Sequence, residues 1–212
     1  MSYIHKITNE LFNSNTYFYA VDSICIVIDP GSDYDKIKSY LISNNFHILL
    51  ILATHGHFDH VSSVALLKKE FDCKFYMHKN DFKILKMANF LMKIFGYNKK
   101  IEIPLVDNYL EGEEGLFNFQ GINFAFFHFP GHTSGSCVFK IDKNLFTGDT
   151  LFYSTDSSKI PNDSIETLRL SQKGIFEKFN ENLIFWPGHG KGGQLKEIKN
   201  HLLKKNVLLN GK

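Results

Sequence analysis

Apolar positions along the chain follow two rhythms. TYFYAV (Thr16 to Val21) and ICIVID (Ile24 to Asp29) read as the strands of a hairpin, and HILLILAT (His47 to Thr54), apolar almost throughout, as a strand covered on both faces. Asp22-Ser23 supplies a tight turn between the first two, and Pro30-Gly31 ends the second. Within residues 33–45, Ile37, Tyr40 and Leu41 recur at helical spacing. Val61, Val64, Ala65 and Phe71 mark one face of a further helix, CKFYMH (Cys73 to His78) a strand, and residues 81–95 a helix carrying Phe82, Leu85, Met87, Phe90, Leu91 and Ile94.

The second half keeps this style without repeating sequence. LFNF and INFAFFHF are strands around Gln120-Gly121, and SCVFKI (Ser136 to Ile141) and NLFTGD (Asn144 to Asp149) flank the turn Asp142-Lys143. Asp163, with Glu166 three residues on, predicts an N-cap and its capping-box partner. The helix they open turns Ile165, Leu168, Ile175, Phe176 and Phe179 inward and is interrupted by Gly174. LIFWPGHG forms a last short strand and turn, and the final helix carries Leu195, Ile198 and Leu202 on one face. Strand clusters with interspersed helices predict an α+β fold, two sheets with helices outside. Without a repeat or a low-complexity linker, the chain reads as one domain spanning 1–212.

Chemistry concentrates where strands end. His55-Gly56-His57-Phe58-Asp59-His60 packs three imidazoles and a carboxylate into six residues directly behind an apolar strand. Imidazole nitrogen and carboxylate oxygen suit zinc, with iron or manganese as further options. FAFFHFPG delivers His132, NLFTG delivers Asp149 and LIFWPG delivers His189, each an apolar strand followed by a glycine turn and a ligand-type residue. Four strand ends used in parallel would gather these groups on one rim. Thr54 and Thr147 flank the ligands as polar candidates for orienting the imidazoles, and His128 is a further candidate. Ser134, Ser136 and Thr133 read as turn residues, because metal chemistry needs no hydroxyl nucleophile.

Composition narrows the partners. A net charge of +2 predicts no broad nucleic-acid surface. The three cysteines form neither a disulfide framework nor a C-x-x-C site, and Cys25 and Cys137 lie in apolar runs as core thiols. The start MSYIHKITNE has no signal-peptide pattern and no run is apolar enough to span a bilayer, which together predict a cytoplasmic protein with no membrane partner.

THGHFDH resembles the T-H-x-H-x-D-H signature of the metallo-β-lactamase superfamily. GHTSGS (Gly131 to Ser136), TGDTLF (Thr147 to Phe152) and PGHG (Pro187 to Gly190) are similar to its later motifs as written in the glyoxalase II-like branch. The resemblance runs over roughly residues 13 to 200. It implies a four-layer αββα sandwich with a metal site at one edge of the two sheets. It implies that His55, His57 and His132 bind a first zinc ion, that Asp59, His60 and His189 bind a second, and that Asp149 bridges them. It further implies a thioesterase of the hydroxyacylglutathione hydrolase type, using a hydroxide shared by the two metals, with Asp59 also orienting it. The substrate would be a small acyl thioester such as a glutathione thioester. The helical substrate domain of larger glyoxalase II enzymes has no counterpart here, because only one helix is expected after His189. The branch's Arg soon after G-D-T-L-F is also missing, so Tyr153 and Lys159 are the candidate substrate-binding residues. NFLMKIFGY (Asn89 to Tyr97) reads either as a lid over an acyl chain or as a helix packed on the sheet. Competing readings on the same fold are a mononuclear-iron persulfide dioxygenase, a lactonase and an RNA or phosphodiester hydrolase.

Overall fold

Residues 2–153 and 163–204 are described by the computed structural model. The chain divides into two compact units, Met1–Leu110 and Glu111–Lys212, and each carries one six-stranded sheet.

In the first unit, β1 (Ser2–Thr8), β2 (Asn15–Val21) and β3 (Ile24–Ile28) form an antiparallel meander. Asp22, at φ 53°, makes the left-handed corner of its second turn. β4 (His47–Leu52), β5 (Lys74–His78) and β6 (Asn108–Leu110) then add in parallel. Parallel addition needs crossovers. α1 (Tyr34–Ser43) joins β3 to β4, and α2 (Phe58–Val61) and α3 (Val64–Phe71) join β4 to β5. α4 (Phe82–Lys86) and α5 (Ala88–Ile94) precede β6. Ile37 and Leu41 of α1 and Val64 and Leu67 of α3 bury against Phe18, Val27, Ile51 and Phe75 of the sheet. The register aligns Ile28 with Leu52 and Leu52 with Tyr76, so β3, β4 and β5 finish at one edge. Side chains just past those ends are delivered to the same place.

In the second unit, β7 (Glu114–Phe119), β8 (Ile122–His128), β9 (Cys137–Ile141) and β10 (Asn144–Gly148) run antiparallel. α6 (Ile165–Lys178) precedes β11 (Ile184–Pro187), which pairs with β10 in parallel, and β12 (Gly193–Gln194) closes that edge before α7 (Leu195–Lys204). Ile175 and Phe179 of α6 and Leu195, Ile198 and Leu202 of α7 pack on Val138, Leu145 and Phe185.

Three details differ from the sequence reading. The helix expected over residues 81–95 breaks at Met87, whose ψ of 0° turns the chain, so Ala88 and Met92 face inward. The N-cap of α6 is Ser164, whose hydroxyl accepts the Thr167 N–H at 3.2 Å. Asp163 lies one residue too early, with its N–H donated to the His132 carbonyl at 3.1 Å. β1, β6 and β12 were not anticipated; β6 and β12 have three and two residues, and β1 is largely exposed. Cys25, Cys73 and Cys137 are all buried free thiols, and burial pushes Cys73 up to about 11, far from nucleophilic use at neutral pH.

Candidate metal centre

At the edge of the first unit, Asp29 directly follows β3 and is buried. Its carboxylate accepts the Thr54 N–H at 2.7 Å on Oδ1 and the Thr54 hydroxyl at 2.7 Å on Oδ2. Oδ2 also lies 3.1 Å from Nδ1 of His60. Proton counting then fixes two imidazoles. A carboxylate only accepts, so the single Thr54 hydroxyl proton goes to Asp29 and His60 carries its proton on Nδ1. The Thr54 oxygen, 3.1 Å from Nδ1 of His55, accepts from that ring. Both rings thus keep their lone pair on Nε2, the tautomer that ligates a metal.

Asp29, His55 and His60 each place a ligand-type atom within 4.8 Å of the others. Asp29 already receives three protein donors, so it orients ligands and is not one of them. The His55 ring lies 4.9 Å from that of His57 and 4.2 Å from that of His60, and Asp59 Oδ2 is 3.3 Å from His60 Nε2. Four of the predicted ligands therefore gather in this unit. Gly56 is needed for close approach. Its N–H donates to Oδ2 of the fully buried Asp81 at 2.7 Å, and a Cβ there would sit 3.0 Å from the Asp81 carbonyl. The Asp59 carbonyl accepts the Ser14 hydroxyl at 2.8 Å, which ties the ligand loop to the β1–β2 turn.

The second unit brings together the other three. Oδ2 of Asp149 lies 3.5 Å from Nε2 of His132 and 3.2 Å from Nε2 of His189. His132 and Asp149 are buried, whereas His189 keeps 23% of its side chain exposed and so forms the accessible side. The loops bearing them are fixed from α6. Ser171 donates to the Pro130 carbonyl at 2.6 Å, and Gln172 donates to the Thr150 carbonyl at 3.0 Å. Thr147 caps its own loop, donating to the Leu151 carbonyl at 2.9 Å. Thr133 and Ser136 bond each other within the turn after His132. His128 lies 2.9 Å from the Ser134 carbonyl through Nε2 and so braces the same turn.

Gly131 shows how tightly that loop is seated. Its φ of 128° suits glycine, and an added Cβ would lie 2.2 Å from the Leu168 nitrogen. Gly131→Ala is expected to cost about 3 kcal/mol or more, from strain plus overpacking. Urea denaturation checks this, and an unchanged midpoint would refute the packing described.

Sequence reasoning missed Asp29, Asp81, Ser171 and Gln172. Asp29 carried one signal, an ionisable residue at the end of a wholly apolar strand. Ser171 and Gln172 lie three and four residues from Leu168, on its face. Tyr153 packs on Phe185 and points its hydroxyl to Glu197 at 3.2 Å, so α7 engages it. Burial and Glu197 together raise its phenol above the usual range. Lys159 lies outside the described residues.

The donor sets fit divalent cations. Two carboxylates and five imidazoles, all oxygen and nitrogen, suit zinc or iron, and the Asp29–Thr54 network presets two of the rings for ligation. The sequence profile of the metallo-beta-lactamase superfamily matches residues 9–189. The chain belongs to this superfamily. It is a metal-dependent hydrolase of that group. The hydroxyacylglutathione hydrolase GloC of Haemophilus influenzae is 28% identical over 88% of this chain and 87% of its own length. The BLEG-1 B3 metallo-beta-lactamase structure has 26% identity and a TM-score of 0.83, over 99% of this chain and 100% of the other. TTHA1623, in a di-iron-bound form, is 28% identical with a TM-score of 0.76, over 91% of this chain and 95% of the other. The expected αββα metallo-β-lactamase fold is the one these structures share with the chain.

Proposed function

We propose that the chain is a dinuclear zinc thioesterase of the hydroxyacylglutathione hydrolase type. The two units act as one domain in this reading. His55, His57 and His132 would hold one ion, Asp59, His60 and His189 the other, and Asp149 would serve both. The observation that carries the reading is that the Asp29–Thr54 network sets His55 and His60 in the ligating tautomer. The similarity to GloC supports the thioester substrate. The di-iron form of TTHA1623 favours iron as the second metal to test.

When bound, such ions supply Lewis-acid polarisation and lower the pKa of water towards ~7. The protein's own groups do the rest. Asp59 orients the attacking water toward the thioester carbonyl. His57 and His189, the more accessible imidazoles, face the entering substrate. Water adds to the acyl carbon, the C–S bond breaks, and acid and thiol leave. The three buried free thiols are in keeping with a reducing, cytoplasmic setting. No helix among the described residues is long and apolar enough to cross a membrane.

Metal quantification and a substrate panel test the proposal. The panel is S-lactoylglutathione, other acyl thioesters, a lactone, a phosphodiester and glutathione persulfide with oxygen monitored. The expected result is thioester turnover that chelation removes and zinc restores. Turnover at an undiminished rate in metal-depleted protein, or oxygen consumption with persulfide as the main activity, overturns it.

A further inference from the structure

The outer surface of α4 and α5 has two properties that rarely occur together. Phe90 and Ile94, one helical turn apart, are 58% and 62% exposed, and Phe82, Met87 and Phe95 are exposed beside them. Isolated exposed apolar residues need no explanation, but a contiguous set does. Residues 82–101 also hold five lysines, Lys83, Lys86, Lys93, Lys99 and Lys100, and no acidic residue. None of the five makes an ion pair among the described residues. The acids bordering the segment are engaged elsewhere, Asp81 with the Gly56 N–H and Glu102 with Lys69 at 2.6 Å.

This surface is built rather than loose. The Asn89 side chain bonds both the N–H and the carbonyl of Ile101, at 2.8 and 2.9 Å, which pins the loop carrying Lys99 and Lys100 onto α5. Phe95 and Tyr97 pack on Phe12 and Phe58. Ala88 and Met92 anchor the inner face of α5.

We propose that this face docks the enzyme peripherally on an anionic phospholipid surface. Met87, Phe90 and Ile94 fall at i, i+3 and i+7, the apolar stripe of an interfacial helix. Lysines flank the stripe, and their long stems let the ammonium groups reach lipid phosphates while the rings enter the acyl boundary. Charge decides against a second copy, because two such faces would set five lysines against five. No helix among the described residues is long and apolar enough to cross a membrane, and peripheral docking needs none; the proposal departs from the sequence expectation of no membrane partner. The inference is independent of the substrate assigned above.

The test is co-sedimentation of the full-length, metal-loaded protein with vesicles of phosphatidylcholine alone or with about one-third phosphatidylserine. Binding is expected to the anionic vesicles, about tenfold or more above neutral ones, and to weaken strongly in ~0.5 M salt. The double variant Phe90→Ser, Ile94→Ser and, separately, Lys93→Gln with Lys99→Gln should each lose about tenfold in partitioning, with an unchanged melting temperature. Equal partitioning onto both vesicle types overturns the proposal. So does no binding to either, or a dimer that the Phe90→Ser, Ile94→Ser variant dissolves.

Discussion

On the proposed dinuclear reading, Asp149→Ala should lose both metals together and, with them, thioester turnover by more than about a thousandfold. One carboxylate oxygen stands between two imidazoles, 3.2 and 3.5 Å away. Alanine leaves two nitrogen donors without the anion that offsets the charge of two dications. The fold should persist, because the loop is held by contacts that do not involve the Asp149 side chain, the Gly188 N–H to the Gly148 carbonyl and the Gln172 side-chain amide to the Thr150 carbonyl. Metal content by elemental analysis, beside the circular dichroism melt, separates the two effects. A variant that keeps two metals and full turnover removes Asp149 from the site.

The second large effect is expected from a residue that, on this reading, touches no metal. Asp29→Ala strands the Thr54 N–H, the Thr54 hydroxyl and the His60 Nδ1 proton in a buried position. Each buried polar group left without a partner costs about 1–3 kcal/mol, so a loss of about 3 kcal/mol or more in total is expected. Metal affinity should fall about 10–100-fold as well, because ring orientation and tautomer are no longer set. Asp29→Asn divides these consequences. Asparagine tolerates the φ of 52° at this position and keeps one acceptor, so most of the stability should remain. Its amide donates where the carboxylate accepted. The His60 proton must then move from Nδ1 to Nε2, where it blocks ligation, and the Thr54 hydroxyl is released to turn toward Nδ1 of His55. A chemical melt and a zinc titration of both variants check this. Undiminished zinc affinity in Asp29→Asn would show that the proton network does not govern the ligands.

The candidate ligands were legible because they cluster just past the ends of apolar strands, and a strand end is a fixed address. Six residues from His55 to His60 made the first cluster readable without any fold. The groups that hold the ligands were hidden for a physical reason. An aspartate before Pro30-Gly31 looks like a turn former, and Asp81 looks like the start of a helix; only tertiary register brings them to Thr54 and Gly56. β1 has the burial pattern of an edge strand and too little contrast to stand out. The division at Met87 was equally unreadable, because apolar residues crowd both faces of that stretch. That crowding is itself what gives α5 an apolar outer face.

The two anchors on α6 bear on how such an enzyme can diversify. Ser171 holds the chain before His132 and Gln172 holds the chain after Asp149, so one helix grips both loops that carry these residues. Other surface segments can change in length and composition across descendants while these two contacts keep the loops where they are. Placement of His132 and Asp149 is thereby uncoupled from drift at the surface, and the site need not be rebuilt each time an outer loop is replaced.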